Sequence, residues 1–305
     1  MNILDDFKNA WKRNNAVEQL IIINVIVFVF LGVLLVFSSL FGFEPVFNFV
    51  YRQFSIPAPL PEFITRPWTL VTYGFAHSLT GILHILFNML FLYWFGRLVV
   101  EYLGNQKLYN LYILGVLAGG LVYLLAYNTI QFYIDRSGLF SGMVGASAAV
   151  YAVSVAAATL LPEHRFFLIF LGPVKIKYIV AFYIFLSFLG SVGDNAGGNL
   201  AHLGGALIGF IYVKQLQKGN DIGRFITLTM EFFSSMFKPK SNIKVSYKNK
   251  KTTRSTSRST TSRPSKGNSS INQDEIDKIL DKISEKGYES LSKEEKEKLF
   301  NASKK

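Results

Sequence analysis

The sequence predicts an all-α polytopic membrane protein, a bundle of six transmembrane helices, and three observations carry that prediction. Half of the 305 residues are hydrophobic, 28 of them phenylalanine, and only 17% are charged. A soluble domain of this size carries more charge and interrupts its apolar runs more often. The first such run, Leu20–Phe43, has Asn24 as its sole side-chain amide and exceeds the roughly 20 residues that cross a bilayer. Comparable runs recur up to residue 217, and the charges fall in the connections between them.

A charged N-terminal segment, 1–17, precedes the first span, read as 18–41. That run is too long for the apolar core of a secretory signal, lacks a small-residue cleavage site and is followed by further spans, so it is expected to be retained. A long first loop at 43–79 leads to spans near 80–100, 107–128, 145–162, 177–193 and 199–217. Lys8, Lys12 and Arg13 precede the first span, and Arg97 and Lys107 bracket the second turn. Arg165, Lys175 and Lys177 occupy the fourth connection, and Lys214 and Lys218 close the sixth span. The alternate connections hold only Arg52, Arg66 and Arg136. An excess of Lys and Arg marks the cytoplasmic side, so a multi-pass protein with both termini cytoplasmic is expected.

Beyond residue 217 the composition changes. From Gly219 onward 19 basic and 11 acidic residues leave +8 of the net charge of +12. The segment 218–238 mixes apolar residues with a few charges and reads as an amphipathic helix on the membrane surface. The stretch 239–270, basic and rich in Ser and Thr, reads as a disordered linker close to anionic headgroups. No recognisable module accompanies its charge, so nucleic acid is not expected as a partner. Within 271–305, Ile276, Ile279, Leu280 and Ile283 recur at helical spacing, Gly287 interrupts, and Leu291-Ser-Lys-Glu-Glu opens a second helix with a capping box. A small helical hairpin results. It is too short to bury much core, which makes a cytoplasmic docking partner one reading and a solvated hairpin the other.

Three spans carry polar residues that a bilayer penalises: His84 and Asn88 in the second, Ser147 in the fourth and His202 in the sixth. All three spans run in the same direction, and each holds these residues in its outer half, at similar depth. A histidine inside a span is a functional candidate by default, the alternative being a ring satisfied by a neighbouring helix. A lone membrane serine means little, because its hydroxyl can bond its own helix. Together, Ser147 and His202 fit a hydroxyl nucleophile activated by an adjacent imidazole. Gly145 and the alanines of Gly-Met-Val-Gly-Ala-Ser-Ala-Ala (142–149) clear bulk around the hydroxyl. Ser147 falls near a helix N-terminus, where free N–H groups favour developing negative charge. His84 and Asn88, one turn apart, share a face from which both can donate toward an oxyanion. Small residues four apart, Gly115 with Gly119, Gly198 with His202 and Gly205 with Gly209, permit close helix approach. Asn24, Ser187 and Ser191 lack such company and are assigned to packing.

His84-Ile-Leu-Phe-Asn88, Gly145-Ala-Ser147-Ala and Ala201-His202-Leu-Gly-Gly205 resemble the H-x-x-x-N, G-x-S-G and A-H-x-x-G motifs of rhomboid proteases, in the same order and on the same spans. The resemblance, to bacterial members, covers roughly residues 17–217 and, with an N-terminus unlike a transit peptide, implies a protein of the cell inner membrane. It implies a serine endopeptidase that cleaves transmembrane protein substrates in the lipid bilayer through a Ser147–His202 dyad. His84, Asn88 and the Ser147 N–H would hold the oxyanion, and Gly198 would be the small residue over which the serine and histidine helices pack. Trp68 and His77 stand where the family has a loop Trp-Arg pair and a loop histidine, and 43–79 resembles its membrane-embedded first loop. Two positions depart: Ala148 replaces the glycine after the serine, and Thr69 the arginine after the tryptophan. Ala148 is the feature favouring the alternative, a non-catalytic binder of transmembrane clients. Transport is disfavoured, because the span interiors hold no carboxylate and no repeat is visible. No cofactor or metal is expected: there is no cysteine, and the four histidines lack companions at ligand spacing.

Overall fold

The computed structural model describes residues 15–138, 142–237 and 273–303. The chain divides into two units, Met1–Lys240 and Ser241–Lys305. The first begins with α1 (Ala16–Phe41), opened by Asn15, whose side chain accepts the Val17 N–H. The first loop folds into α2 (Glu44–Arg52), α3 (Leu60–Thr65), α4 (Thr69–Thr72) and a 3-10 turn at Tyr73–Phe75. Then come α5 (Ile82–Leu103), α6 (Asn105–Thr129), α7 (Gln131–Ile134) and α8 (Ser147–Leu160). A two-stranded antiparallel hairpin, β1 (Arg165–Leu168) with β2 (Gly172–Lys175), leads into α9 (Ile176–Gly190), α10 (Ala196–Gln217) and α11 (Arg224–Phe237). Among the described residues, four helices, α1, α5, α6 and α10, are long and apolar enough to cross a membrane, while α8 and α9 are apolar but shorter.

The hairpin was not expected from sequence. Phe166, Phe167 and Val174 favour extended backbone, and Gly172 supplies the left-handed turn conformation at its tip (φ 69°). At its base Glu163 pairs with Lys175 and Lys177. Hydrogen bonding to these ammonium groups holds the exposed Glu163 carboxyl well below its ordinary range, at about 2.

The serine helix α8 sits in the middle of the bundle, and its composition explains how. Residues 147–157 are all buried, and most are alanine, serine or valine. Gly115 of α6 faces Ala149 and Ala152, and Gly119 faces the Ala148 methyl. From the other side, Gly205 and Gly209 of α10 lie against the carbonyls of Ala148 and Ala152. Small residues on three helices therefore let backbones touch where lipid gives no hydrophobic drive for association. Asn24, buried in α1, donates to the Tyr112 hydroxyl at 2.9 Å, and Tyr112 donates to the Gly74 carbonyl at 2.8 Å. That network ties α1, α6 and the first loop together, a packing role for Asn24.

Past α10, Asp221 pairs with Lys107 and accepts the Gly223 N–H, and Thr227 of α11 bonds Gln106 and Asn110. These contacts fasten the start of α11 to the start of α6. In the second unit, α12 (Gln273–Lys286) and α13 (Lys293–Ser303) pack through Ile276, Ile279 and Leu291. Ser292 caps α13 reciprocally: its hydroxyl accepts the Glu295 N–H, and Glu295 accepts the Ser292 N–H. The basic linker expected at 239–270 and most of the N-terminal segment lie outside the described residues.

Candidate active site

At about 1.5 Å per residue, the 14-residue α8 is only about 21 Å long, short of the roughly 30 Å hydrocarbon core. Ser147 is its first residue, preceded by irregular chain. Inside a bilayer such backbone survives only where its polar groups find partners within the protein. The first loop supplies three such bonds: Met143 and Ile56 exchange two backbone bonds at 2.9 and 3.0 Å, and the Gly145 N–H donates to the Tyr73 carbonyl at 3.0 Å. The first loop is thus the clamp that delivers the serine.

Ser147 Oγ lies 2.7 Å from His202 Nε2, joining α8 to α10. Gly145 adopts φ 145°, which disfavours any side chain. A Cβ there would stand 3.3 Å from Ser147 Oγ and 3.8 Å from His84 Nε2, so the glycine keeps open the gap between hydroxyl and imidazole. Asn88 is buried and donates to the His84 carbonyl at 2.8 Å. His84, Asn88, Ser147 and His202 line one cleft of about 310 Å³ together with Leu83, Phe87, Phe91 and Tyr183. On its other side His84 lines a polar cleft of about 380 Å³, with Tyr51, Ser78, Asp194, Asn195 and Gly198. The four polar span residues are therefore brought together. Gly198 is at the cleft and not at the helix crossing: a Cβ on it would meet its own neighbour Asn195. The crossing closes one and two turns past His202, at Gly205 and Gly209.

Both departures from the rhomboid pattern have a structural answer. The Ala148 methyl is seated against α6 in the space that Gly119 leaves. Thr69 is buried and its hydroxyl donates to the Arg66 carbonyl at 2.6 Å. Arg66 pairs with Glu62 and donates to the Arg52 carbonyl at 2.6 Å, so a guanidinium still ties the loop together from a nearby position.

Sequence reasoning missed two residues. Ser187 of α9, assigned to packing, reaches His202 Nδ1 at 2.9 Å, and Tyr151 of α8 stacks on the His202 ring with centroids 4.3 Å apart and planes 11° apart. In the structure α9 buries only Ile176, Val180 and Ser187, on one helical face, so Ser187 points into the bundle; the uniformly apolar sequence around it carries no signal of that face.

His77, in the first loop, is fully buried and neither ring nitrogen has a hydrogen-bond partner among the described residues. Burial, and secondarily His84, push its pKa down from 6.5 to about 3. The unfolded chain then binds more protons below pH 6.5, so stability falls as pH drops from 6.5 toward 3. Melting temperatures measured across that window are expected to fall in the parent and to fall less steeply in His77→Leu.

The Rhomboid domain family matches residues 65–218, half of the chain. The chain belongs to the rhomboid family. RHOMBOID-like protein 12, mitochondrial, of Arabidopsis thaliana is 32% identical over 200 residues, covering 63% of this chain and 59% of the relative. Rhomboid-like protein 16, chloroplastic, of the same plant is 28% identical, covering 70% of this chain and 67% of the relative. Rhomboid protein 1, mitochondrial, of Saccharomyces cerevisiae is 30% identical, covering 50% of this chain and 42% of the relative. Residues 268–305 match a family of unknown function (DUF6576). The chain spans 59% of the length of the first of these relatives and 42% of the yeast one. One expectation is corrected. These relatives are mitochondrial or chloroplastic, which speaks against the expected cell inner membrane with cytoplasmic termini. That expectation rested on the resemblance to bacterial rhomboids and on the N-terminus, because loop charge reports only sidedness and the spanning length is the same in either bilayer.

Proposed function

We propose that this rhomboid is an intramembrane serine endopeptidase, cutting peptide bonds in or near transmembrane helices of other membrane proteins. The observation that carries the reading is the 2.7 Å contact of Ser147 Oγ with His202 Nε2, between two apolar helices and beside a polar cleft. Ser147 Oγ attacks the scissile carbonyl carbon while His202 Nε2 takes the hydroxyl proton. The oxyanion that forms is met by His84, Asn88 and free N–H groups at the start of α8. Collapse breaks the C–N bond, and His202 returns the proton to the leaving amine. Water then attacks the acyl-serine with His202 again as base, freeing the new carboxylate and restoring Ser147. The polar cleft is the water's approach, and the apolar cleft beside Phe87, Phe91 and Tyr183 suits a substrate helix.

The alternative, a client binder that does not cut, drew its support from Ala148. With that methyl seated against Gly119, the support is weakened. The test is incubation of the purified protein in detergent with a tagged single-span membrane protein, followed by mass analysis of the products. New termini within or beside the span are expected. Co-purification of an intact span with no product would move the assignment to the client binder.

A further inference from the structure

Three hydrogen bonds run outward from the back of His202, and they end on a group that cannot donate. His202 Nδ1 lies 2.9 Å from Ser187 Oγ, Ser187 Oγ lies 2.6 Å from the Tyr151 hydroxyl, and Tyr151 donates to the Tyr183 carbonyl at 3.2 Å. Ser187 and Tyr151 are both nearly inaccessible to solvent, at 2% exposure. The rings of Tyr151 and Tyr183 stack at 4.0 Å, which holds the hydroxyl at its station.

We propose that Ser187 and Tyr151 are positioning residues that set the tautomer of His202, taking the part that a carboxylate plays where one is present; the catalytic consequence rests on the protease reading above. The direction of each proton follows from the end of the chain. A backbone carbonyl only accepts, so the single Tyr151 proton goes to Tyr183. The Tyr151 oxygen then accepts the Ser187 proton, and Ser187 Oγ is left to accept from His202 Nδ1–H. With the ring proton on Nδ1, Nε2 presents its lone pair to the Ser147 hydroxyl, as a general base must. The opposite direction leaves Tyr183 unbonded by Tyr151 and makes one hydrogen bond fewer. It also places a proton on Nε2, where His202 can donate to Ser147 but not accept from it. In a buried site the lost bond has little competition from water, which is why a neutral relay suffices.

The protein contains four histidines, so selective ¹⁵N labelling of histidine in the full-length chain gives a small set of ring signals, with those of His202 identified by their loss in His202→Gln. The parent is expected to show His202 protonated at Nδ1. Ser187→Ala is expected to shift protonation toward Nε2 and to lower kcat roughly 10–100-fold with KM unchanged, a loss typical of an impaired general base. Ser187→Thr, which keeps the hydroxyl, should recover both readings. Tyr151→Phe keeps the stacked ring and removes only the anchor, and should shift the tautomer the same way to a smaller extent. Melting temperatures accompany each variant, and if Ser187→Ala does not fold, Tyr151→Phe carries the test. Parent-like Nδ1 protonation in the folded variants overturns the relay, whatever kcat does. A parent that cleaves nothing yet shows the tautomer shift in Ser187→Ala sinks the protease reading and leaves the relay standing.

Discussion

Ser147→Ala is expected to abolish cleavage of a transmembrane reporter, and His202→Ala to do the same within the detection limit. The two side chains meet at 2.7 Å, and on the protease reading they act as one unit, because a serine hydroxyl is a weak nucleophile until a base removes its proton. Losing either should therefore cost about as much as losing both, on the order of 10⁴-fold or more in kcat, and the double variant should be no worse than either single one. The fold should survive both changes. Ser147 is only 9% exposed but its neighbours are alanines, and a methyl in place of the hydroxymethyl fits the same space. Equal melting temperatures with no turnover would locate the loss in the chemistry. Strong residual cleavage by Ser147→Ala would instead remove Ser147 from the nucleophile's role.

The second large effect is on stability. A Cβ on Gly205 would lie 2.0 Å from the Ala148 carbonyl oxygen and 2.8 Å from its carbon, so Gly205→Ala cannot be accommodated by turning a side chain. The serine and histidine helices must separate, against Gly115 and Gly119 pressing α8 from the other side. Ordinary overpacking costs about 1–3 kcal/mol, and a clash against backbone belongs at or above the top of that range. Gly205→Ala is expected to melt well below the parent and, where it folds, to lose activity by pulling His202 away from Ser147. Gly32→Ala in α1, where the added carbon meets nothing within 4 Å, is the control and should melt like the parent. A Gly205→Ala protein as stable and active as the parent would show that the two helices do not need their close approach.

The ends of the helices were legible because the bilayer imposes a length and an apolarity that few soluble segments mimic. Spans read as 80–100 and 199–217 emerge as Ile82–Leu103 and Ala196–Gln217. His84, Asn88, Ser147 and His202 were legible for the complementary reason: polar groups at membrane depth are costly, so each one asks for a partner. The sequence also carried the capping box at Ser292, since that device is local, spanning three residues. What it did not carry was anything dependent on which face of one helix meets another. Ser187 looked like packing because a hydroxyl can always satisfy itself on its own helix, and only the placement of α9 against α10 turned it toward His202 Nδ1. The same holds for Ala148, which favoured the non-catalytic reading in the sequence and whose methyl fills the gap left by Gly119, and for Gly198, which lines the cleft while Gly205 takes the crossing. Depth and local capping are one-dimensional properties written along the chain; rotation about a helix axis is fixed only when the close contacts of α8 with α6 and α10 are all made at once.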